Sequence, residues 1–345
     1  MRAFRNLADA DLDLPVAGCV ICGPNGHGKT SLIEALLYPE VFRSFRGAAD
    51  RELVRFGADG FRVEAFVGRS VAAGYDARTR QKKVMLDGAP PLRLGDAIGV
   101  VRGVVLSPGD VLLVAGGPKE RRRYLDVLLA LTVKGYVEAL SRYRRALLHR
   151  MRATAAELPT WERLLGDAGA VIVAARQAWA ERWTGHYAAQ CAAMGESGAA
   201  AMAYAPRTAG NADALCAALE QSRERDRALG HVTVGPHRDE LRLTLDGRLL
   251  RSFGSAGQQR TAALALRLIE AEAVAESGGG VLICLDDAFA ELDGERSRKL
   301  GELIAARAAA GNQIVAAVPK ASDIPEVIEA LPRWSMREGT VSDGA

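Results

Sequence analysis

The feature that most constrains this chain is a glycine-rich segment placed between an apolar run and a helical pattern. Residues 16–22 are short and apolar, as in a buried strand, and residues 31–37 continue with helical spacing. The glycines before Lys29 and Thr30 have the spacing of a phosphate-binding loop, whose backbone N–H groups and helix N-terminus face phosphate oxygens. The sequence therefore predicts an ATP site formed by Gly23, Pro24, Asn25, Gly26, His27, Gly28, Lys29, Thr30 and Ser31.

A second polar segment follows an apolar run late in the chain. Residues 281–285 indicate a parallel strand buried on both faces, and Asp286 and Asp287 follow at the end where ligands lie in an open α/β sheet. We expect Lys29 to reach the outer phosphates, and Thr30 and Asp286 to hold Mg²⁺. Asp287 would polarise the attacking water, so Lys29 and Asp287 are the predicted catalytic residues. The alternative is that the two aspartates form a solvated turn.

A third segment, residues 253–260, is small, flexible and hydroxyl-bearing, and it precedes a predicted helix over residues 261–275. Such a segment at a helix N-terminus is a second possible anion site. One nucleotide does not need two such sites from the same subunit, but in a head-to-tail dimer the second could close over the partner's ATP. The alternative is a plain helix N-cap formed by Ser255.

The organisation of the chain follows from how its patterns change along its length. Both ends alternate strands and helices: strands are predicted over residues 61–67, 84–86, 100–106, 313–318 and 333–337, and the last is expected to form a hairpin that turns at residues 338–339. The middle is rich in Ala, Leu, Arg and Glu and predicts helices over residues 120–131, 136–154 and 168–194. We therefore expect an α/β fold: a discontinuous P-loop head of residues 1–115 and 231–345 with an inserted helical arm of residues 116–230. No apolar run is long enough to span a bilayer and no leader pattern is found, so we expect a soluble, cytosolic protein without a membrane partner.

The five cysteines predict neither a metal site nor a disulfide framework. Cys19 and Cys22 form a C-x-x-C pattern, but they fall on a predicted strand, where residues three apart point to opposite faces. No second C-x-x-C or histidine pair accompanies them. We therefore expect ordinary core cysteines that remain reduced.

The net charge is close to neutral, with 45 Lys and Arg against 42 Asp and Glu, so a polyanion site must come from local clustering. Residues 119–152 provide such a cluster, with ten basic residues and only three acidic ones. Basic side chains with interleaved aromatic rings suit a surface that follows phosphates and stacks on unpaired bases. The alternative is a solvated helix face with some buried arginines, residues 121–123 in particular. The predicted DNA-binding residues are Arg142, Arg144, Arg145 and Arg150, and the candidate stacking rings are Tyr124, Tyr136 and Tyr143.

Several further segments occur in a fixed order along the chain. They are Glu34-Ala35 and residues 43–46, 106–110, 117–126, 235–239, 254–261 and 285–293. Together with the phosphate loop, these segments resemble the RecF family, the DNA repair members of the ABC/SMC-type ATPases. The match runs over nearly the whole chain.

The resemblance implies roles that the residues alone do not give. It implies an ATP-dependent homodimer on gapped or single-strand/double-strand junction DNA, which works with RecO and RecR to place RecA in recombinational repair and replication restart. We also expect a weak, DNA-stimulated ATPase activity. By the same resemblance, Asp286 and Asp287 occupy the Walker B pair. The ABC signature, acting in trans, would be Ser255, Ala256, Gly257, Gln258 and Gln259, and the D-loop would be Glu291, Leu292 and Asp293.

The sequence departs from the family pattern at four places. His27 replaces a smaller residue in the loop, and Ala316 and Ala317 stand where the family usually has threonine, which weakens a γ-phosphate switch. Asp287 stands where such sites commonly have glutamate, so we expect slow hydrolysis. Family members carry a further strand before Phe4, so either an edge strand is missing or the start codon is misassigned.

Two alternative functions stay open from the sequence. One is a DNA clamp that binds ATP with negligible hydrolysis, and the other, less favoured, is a transporter ATPase subunit.

Overall fold

The computed structural model describes residues 1–208, 210–290 and 292–343. Strands and 3₁₀ turns alternate with helices at both ends of the chain. The strands are β1 (Gly18–Cys22), β2 (Gly60–Phe66), β3 (Ser70–Asp76), β4 (Gln81–Leu86), β5 (Gly103–Leu106), β6 (Ala200–Ala205), β7 (Glu240–Leu245), β8 (Arg248–Leu249), β9 (Leu282–Asp286), β10 (Gln313–Val318), β11 (Arg333–Arg337) and β12 (Thr340–Asp343). The helices are α1 (Lys29–Val41), α2 (Leu112–Ala115), α3 (Pro118–Thr132), α4 (Tyr136–Arg150), α5 (Leu158–Ala193), α6 (Ala212–Gln221), α7 (Arg223–Leu229), α8 (Leu250–Phe253), α9 (Ala256–Glu276) and α10 (Gly294–Ala309).

The chain forms two compact units. The first contains Met1–Asp110 and Glu270–Ala345, and the second contains Val111–Ile269. Residues 231–269, which the sequence analysis placed with the head, pack within the second unit. The assignment of an ATPase head and an inserted arm stays a prediction.

The first unit is built on a six-stranded sheet in the order β12-β11-β1-β10-β9-β5. All neighbouring pairs are parallel except β11 and β12, which form the predicted terminal hairpin. The central strands β1, β9 and β10 are almost fully buried, which explains their continuous apolar sequences. Cys22 lies opposite Val318, and Ala317 lies opposite Asp286, so the carboxyl ends of the three strands meet at one edge of the sheet.

A smaller antiparallel sheet, β2-β3-β4, belongs to the same unit. Its inner face packs on helix α1, where the rings of Tyr38 and Phe61 meet edge to face with centroids 5.2 Å apart. The sequence predicted β2 and β4 but missed β3, because its Ala72-Ala73-Gly74 segment lacks the β-branched residues that mark strands. Before β1, Arg2 and Phe4 form isolated bridges with Arg62 and Val54.

The second unit is mainly helical, but it also contains strands that were not predicted from the sequence. Residues 200–205 form strand β6, which pairs with β7 in a three-stranded sheet with β8. The alanine-rich sequence of β6 has no intrinsic strand preference, so its pairing with β7 determines its conformation. Helix α5 is 36 residues long and begins ten residues before the predicted start. Position 166 within this helix is a glycine, and the close packing explains why: a β-carbon there would come within 2.4 Å of the Cys216 sulfur.

All five cysteines are free, and Cys19, Cys191 and Cys284 are buried. Burial raises the pKa of Cys19 to about 12, as expected for a thiol in the core. Among the described residues, no group of three or more His, Cys, Asp or Glu side chains could hold a metal ion. None of the helices within the described ranges is both long and apolar enough to cross a membrane.

Candidate nucleotide site and nucleic-acid interface

The phosphate loop connects strand β1 to helix α1, as the sequence predicts. Gly28 caps the helix with φ 110° and ψ 5°, a conformation that glycine adopts without the strain a side chain would bring. Gly23 lies so close to strand β11 that a β-carbon would come within 2.3 Å of the Met336 carbonyl oxygen. The loop therefore packs against the sheet at one end and leads into the N-terminus of helix α1 at the other. This arrangement is the one that binds phosphate.

Lys29 is folded over this loop. Its side chain is buried, with 6% of the residue exposed. The Nζ atom donates to the carbonyl oxygens of Gly23 (2.6 Å) and Pro24 (3.1 Å) and to Oδ1 of Asn25 (3.3 Å). The ammonium group is thus held among oxygen acceptors within the loop, where phosphate oxygens could replace them at little cost in reorganisation.

Thr30 and Asp286 lie together although 256 positions separate them in the sequence. The Thr30 hydroxyl donates to Oδ1 of Asp286 over 2.8 Å. Asp286 ends strand β9 with 7% of the residue exposed; burial raises the pKa of its carboxyl, and the Thr30 hydrogen bond opposes that rise. A hydroxyl and a carboxylate are ligands that Mg²⁺ prefers, and this ion usually takes only one or two protein ligands beside water and phosphate. The residues present therefore fit the predicted magnesium position.

Asp287 follows with an unusual backbone, a φ of 51°. Its N–H donates to the carbonyl oxygen of Ala317 on β10 over 3.2 Å. Its Oδ1 atom is buried and has no hydrogen-bond partner within the described residues. A carboxylate oxygen in this situation is available to a proton donor such as a water molecule.

Burial raises the pKa of Asp287 above its ordinary value; nearby Lys29 opposes this rise and Asp323 adds to it. The pKa of Asp286 is raised as well, so the folded chain binds protons at these sites more tightly than the unfolded chain does. The two charges therefore oppose folding at neutral pH, and this cost decreases as pH falls through the folded-state pKa values and is gone below the unfolded-state values. A bound cation would offset the same cost.

His27, which stands where the family pattern has a smaller residue, accepts hydrogen bonds from the β11–β12 turn. Its Nδ1 atom accepts a hydrogen bond from the Glu338 N–H (3.1 Å), and its carbonyl oxygen accepts one from the Gly339 N–H (2.9 Å). On the other side, the Asn6 side-chain amide donates to the Gly26 carbonyl oxygen over 3.3 Å. The larger residue at position 27 is thus explained by contacts to the terminal hairpin.

A buried charge cluster under helix α1 was missed by the sequence analysis. Glu34 is completely buried and accepts hydrogen bonds from Arg5 (2.8 Å) and from the Ser44 hydroxyl. Arg46 lies 3.9 Å from the same carboxylate, and its positive charge opposes the rise that burial causes in the pKa of Asp286. The segments that contain Glu34 and Arg46 were noticed in the sequence, but spacing alone could not show that they converge near the metal position.

The proposed signature segment begins helix α9. The Ser255 hydroxyl accepts a hydrogen bond from the Gln258 N–H (3.2 Å), and Oε1 of Gln258 accepts one from the Ser255 N–H (2.9 Å), which forms a reciprocal cap. Ser255 is nevertheless exposed, so capping and contact with a second molecule are compatible. The signature role stays a prediction.

In the predicted D-loop, Asp293 caps helix α10 by accepting a hydrogen bond from the Arg296 N–H over 2.9 Å. Leu292 precedes it, and Glu291 lies outside the described residues. The D-loop role of these three residues stays a prediction.

The predicted DNA-binding arginines divide into two groups. Arg142, Arg144 and Arg145 are exposed on helix α4, and Arg144 pairs with Asp126 at 3.0 Å. Arg150, on the same helix, is buried with 4% exposed; it donates to Asp226 (2.7 Å) and Glu162 (3.2 Å). Arg150 cannot reach a DNA phosphate from this position, so its assignment to the DNA surface was wrong.

The three tyrosines proposed to stack on bases are also buried. The hydroxyl of Tyr124 donates to the Leu266 carbonyl oxygen (2.9 Å), that of Tyr136 donates to Asp126 (2.7 Å), and that of Tyr143 lies 2.7 Å from Nδ1 of His237. These rings are part of the core of the second unit, so the stacking prediction was wrong for all three. Arg121 is likewise buried in an ion pair with Glu240 (2.8 Å), as the structural alternative expected.

The chain was compared with family models, with curated proteins and with solved structures. No family model matches the chain, but curated proteins do. The curated protein named DNA replication and repair protein RecF from Chloroflexus aurantiacus is 34% identical over 88% of both chains, and its namesake from Chloroflexus aggregans is 35% identical over the same shares.

Solved structures agree with the sequence comparison. A structure of the recombination mediator protein RecF with ATP, from the RecFOR pathway, matches with a TM-score of 0.89 and 27% identity, covering 99% of this chain and 95% of that one. The Smc head domain of Pyrococcus yayanosii matches with a TM-score of 0.57 and 12% identity over 99% and 96% of the chains, a likeness of fold alone. The predicted fold class, an α/β ATPase head of the kind found in RecF and Smc proteins, is confirmed, and the chain belongs to the RecF family.

Proposed function

We propose that this protein is an ATP-switched DNA-binding protein of recombinational repair and replication restart. ATP closes a head-to-tail homodimer on gapped or junction DNA, where it helps RecO and RecR to load RecA, and slow hydrolysis releases it. The named relatives are DNA replication and repair proteins, and the matched RecF structure is described with ATP. The observation that carries the proposal is the Thr30–Asp286 hydrogen bond beside Lys29, which brings the parts of a nucleotide site to one edge of the sheet.

Each part of the nucleotide would be bound by a different group of residues in this chain. Backbone N–H groups of residues 23–30 and the N-terminus of α1 hold the phosphates, and Lys29 exchanges its loop acceptors for phosphate oxygens. Thr30 and Asp286 hold the Mg²⁺ that accompanies ATP. This ion supplies charge neutralisation on the phosphates. The raised pKa of Asp286 indicates that a cation at this point would also relieve the cost of its buried charge.

The partner copy would complete the site. Ser255 is exposed at the N-terminus of a 21-residue helix, so its hydroxyl and the neighbouring N–H groups can face the γ-phosphate on another subunit. An ATP site without this second half lacks donors on the γ-phosphate side. ATP would therefore join two copies, and ADP, which lacks the γ-phosphate, would not.

Hydrolysis should be slow because of three residues. Asp287 is one methylene shorter than glutamate, and a misplacement on the order of 1 Å can cost about a hundredfold in rate. Ala316 and Ala317 are buried in β10 and offer no hydroxyl to the γ-phosphate. These observations favour a second candidate, a DNA clamp that binds ATP with negligible hydrolysis.

The test is size-exclusion chromatography of Ser255→Arg with ATP, ADP and no nucleotide. The parent should elute as a dimer with ATP only, whereas Ser255→Arg should bind ATP normally and remain a monomer, because a bulky side chain blocks the partner's γ-phosphate. Ser255→Thr, which keeps the hydroxyl cap, is the matched control and should dimerise. A parent dimer that forms without nucleotide would contradict the proposed sandwich.

A further inference from the structure

Two aromatic rings stack on the surface of the second unit. His149 lies near the end of helix α4, and Trp161 lies in the first turn of helix α5. Their ring centroids are 4.6 Å apart and their planes differ by 8°. His149 remains exposed although Trp161 covers one face of its ring, and Trp161 is half-buried. The other face of the imidazole is therefore available for a third flat group.

Two arginines near this stack have no acidic partner among the described residues. Arg142, Arg145 and His149 are spaced three and four residues apart, so they lie on one face of α4, with Arg142 and Arg145 about 4.5 Å apart along the axis. Arg142 and Arg145 are exposed and form no ion pair or hydrogen bond within the described residues. By contrast, Arg163, which follows Trp161 closely on α5, is paired with Asp167 and Asp213. The positive charge beside the stack is thus free to meet an anion from solution.

Apolar surface adjoins the same stack. Leu148, which precedes His149, is 70% exposed, and Leu164, one helical turn after Trp161, is 43% exposed. The site therefore combines a flat ring, apolar surroundings and unpaired arginines. A ligand that fits must be both flat and anionic, which describes an unpaired nucleotide within a strand.

We propose that Arg142, Arg145, His149 and Trp161, called here the α4 platform, bind single-stranded DNA, with a base stacked on His149 and phosphates on the two arginines. This inference rests on the proposed function and deepens it, because it names the kind of DNA that this surface takes. Paired bases are already stacked and cannot turn toward the ring without unpairing. The α4 platform therefore discriminates between single-stranded and duplex DNA.

The experiment measures fluorescence anisotropy with three labelled probes: oligo-dT, an abasic strand of the same length, and a blunt duplex. Parent protein should bind oligo-dT at least about fivefold more tightly than the abasic strand, the lower end of what one stacked base contributes. His149→Ala should reduce this preference, and the double variant His149→Ala/Trp161→Leu should abolish it. His149→Phe keeps a flat ring and should retain the preference. Affinities for the abasic strand and the duplex should not change in any variant.

A preference for oligo-dT that survives in the double variant would overturn the proposal, and so would a parent protein that does not distinguish oligo-dT from the abasic strand. Equal loss of affinity for all three probes would also overturn it, because it would indicate lost charge or folding rather than lost stacking. These outcomes leave the proposed function standing. If the parent binds no DNA with or without ATP, the proposed function itself fails.

Discussion

The phosphate loop of the first unit and helix α4 of the second unit were both assigned to ligands from sequence, but the structure places the residues predicted in these two regions in different surroundings. In the loop, Lys29 and Thr30 lie where the pattern requires, and Asp286 and Asp287 approach them from a distant strand. On α4, one of the four predicted DNA-binding arginines is buried in an ion cluster. The difference arises because a loop motif specifies backbone geometry, whereas a basic run specifies only composition.

The largest expected effect concerns Arg150. Arg150→Met leaves the carboxylates of Asp226 and Glu162 buried without this partner, and breaking a buried ion pair costs about 3–5 kcal/mol. We expect a corresponding fall in the free energy of unfolding, measured by urea denaturation followed by circular dichroism. Arg152→Met, an exposed neighbour on the same segment, should leave stability unchanged. If Arg150→Met is as stable as the parent but binds DNA less well, the original assignment to the DNA surface would be restored.

Lys29 should show the next largest effect. Lys29→Met removes the ammonium that is expected to bind the outer phosphates. The loss of these charged hydrogen bonds should lower the affinity for ATP by at least about a hundredfold. Fluorescent-ATP titration measures the loss, and the circular dichroism spectrum should stay that of the parent. Lys83→Met, an exposed lysine on β4, is the control and should bind ATP normally. Unaltered affinity in Lys29→Met would refute the phosphate-loop assignment.

The arginines of α4 should contribute less individually but additively. Replacing Arg142, Arg144 and Arg145 with Glu should weaken DNA binding and flatten the plot of log K against log salt by about 0.7 to 0.9 for each lost phosphate contact. Arg144 already pairs with Asp126, so Arg144→Glu alone should change the slope least.

The control carries charge reversals in the first unit. Arg69→Glu/Arg78→Glu reverses two exposed arginines beside the β2-β3-β4 sheet, each paired with an aspartate. It should leave the salt slope unchanged. If the triple variant on α4 binds DNA as well as the parent, the DNA surface lies elsewhere.

The smallest expected effect concerns Asp287, since the hydrolysis that we propose is slow in the parent. Asp287→Asn should leave ATP and DNA binding intact and lengthen the lifetime of the dimer on DNA, which stopped-flow dissociation measures. Without nucleotide and at neutral pH, this variant should be no less stable than the parent, because the buried charge it removes opposes folding. An unchanged off-rate would show that hydrolysis at Asp287 does not set the release step.

Much of the fold was predictable because its central strands and its phosphate loop carry local signals. Residues 313–318 and 333–337 form strands with the predicted bounds, and the loop leads directly into α1. Strands β3 and β6 were missed because they consist largely of alanine and glycine, and pairing with neighbouring strands determines their conformation.

The burial of some residues on α4 could have been predicted from the sequence. Tyr136, Ala139, Tyr143, Ala146 and Arg150 follow one another at intervals of three and four, and all are buried. Arg150 and two of the tyrosines thus continue an apolar stripe, which helical periodicity could have revealed. The pairing of Arg150 with Asp226 could not be predicted, because it depends on how α7 packs.

The central claim is that ATP, rather than ADP, holds two copies of this protein on gapped DNA. Sedimentation velocity of the protein with gapped DNA, measured with ATP, with ADP and without nucleotide, tests it most directly. We predict a complex of two protein copies per DNA with ATP, and free or singly bound DNA in the other two conditions. The same sedimentation profile in all three conditions would contradict the account, because ATP would then not control the assembly.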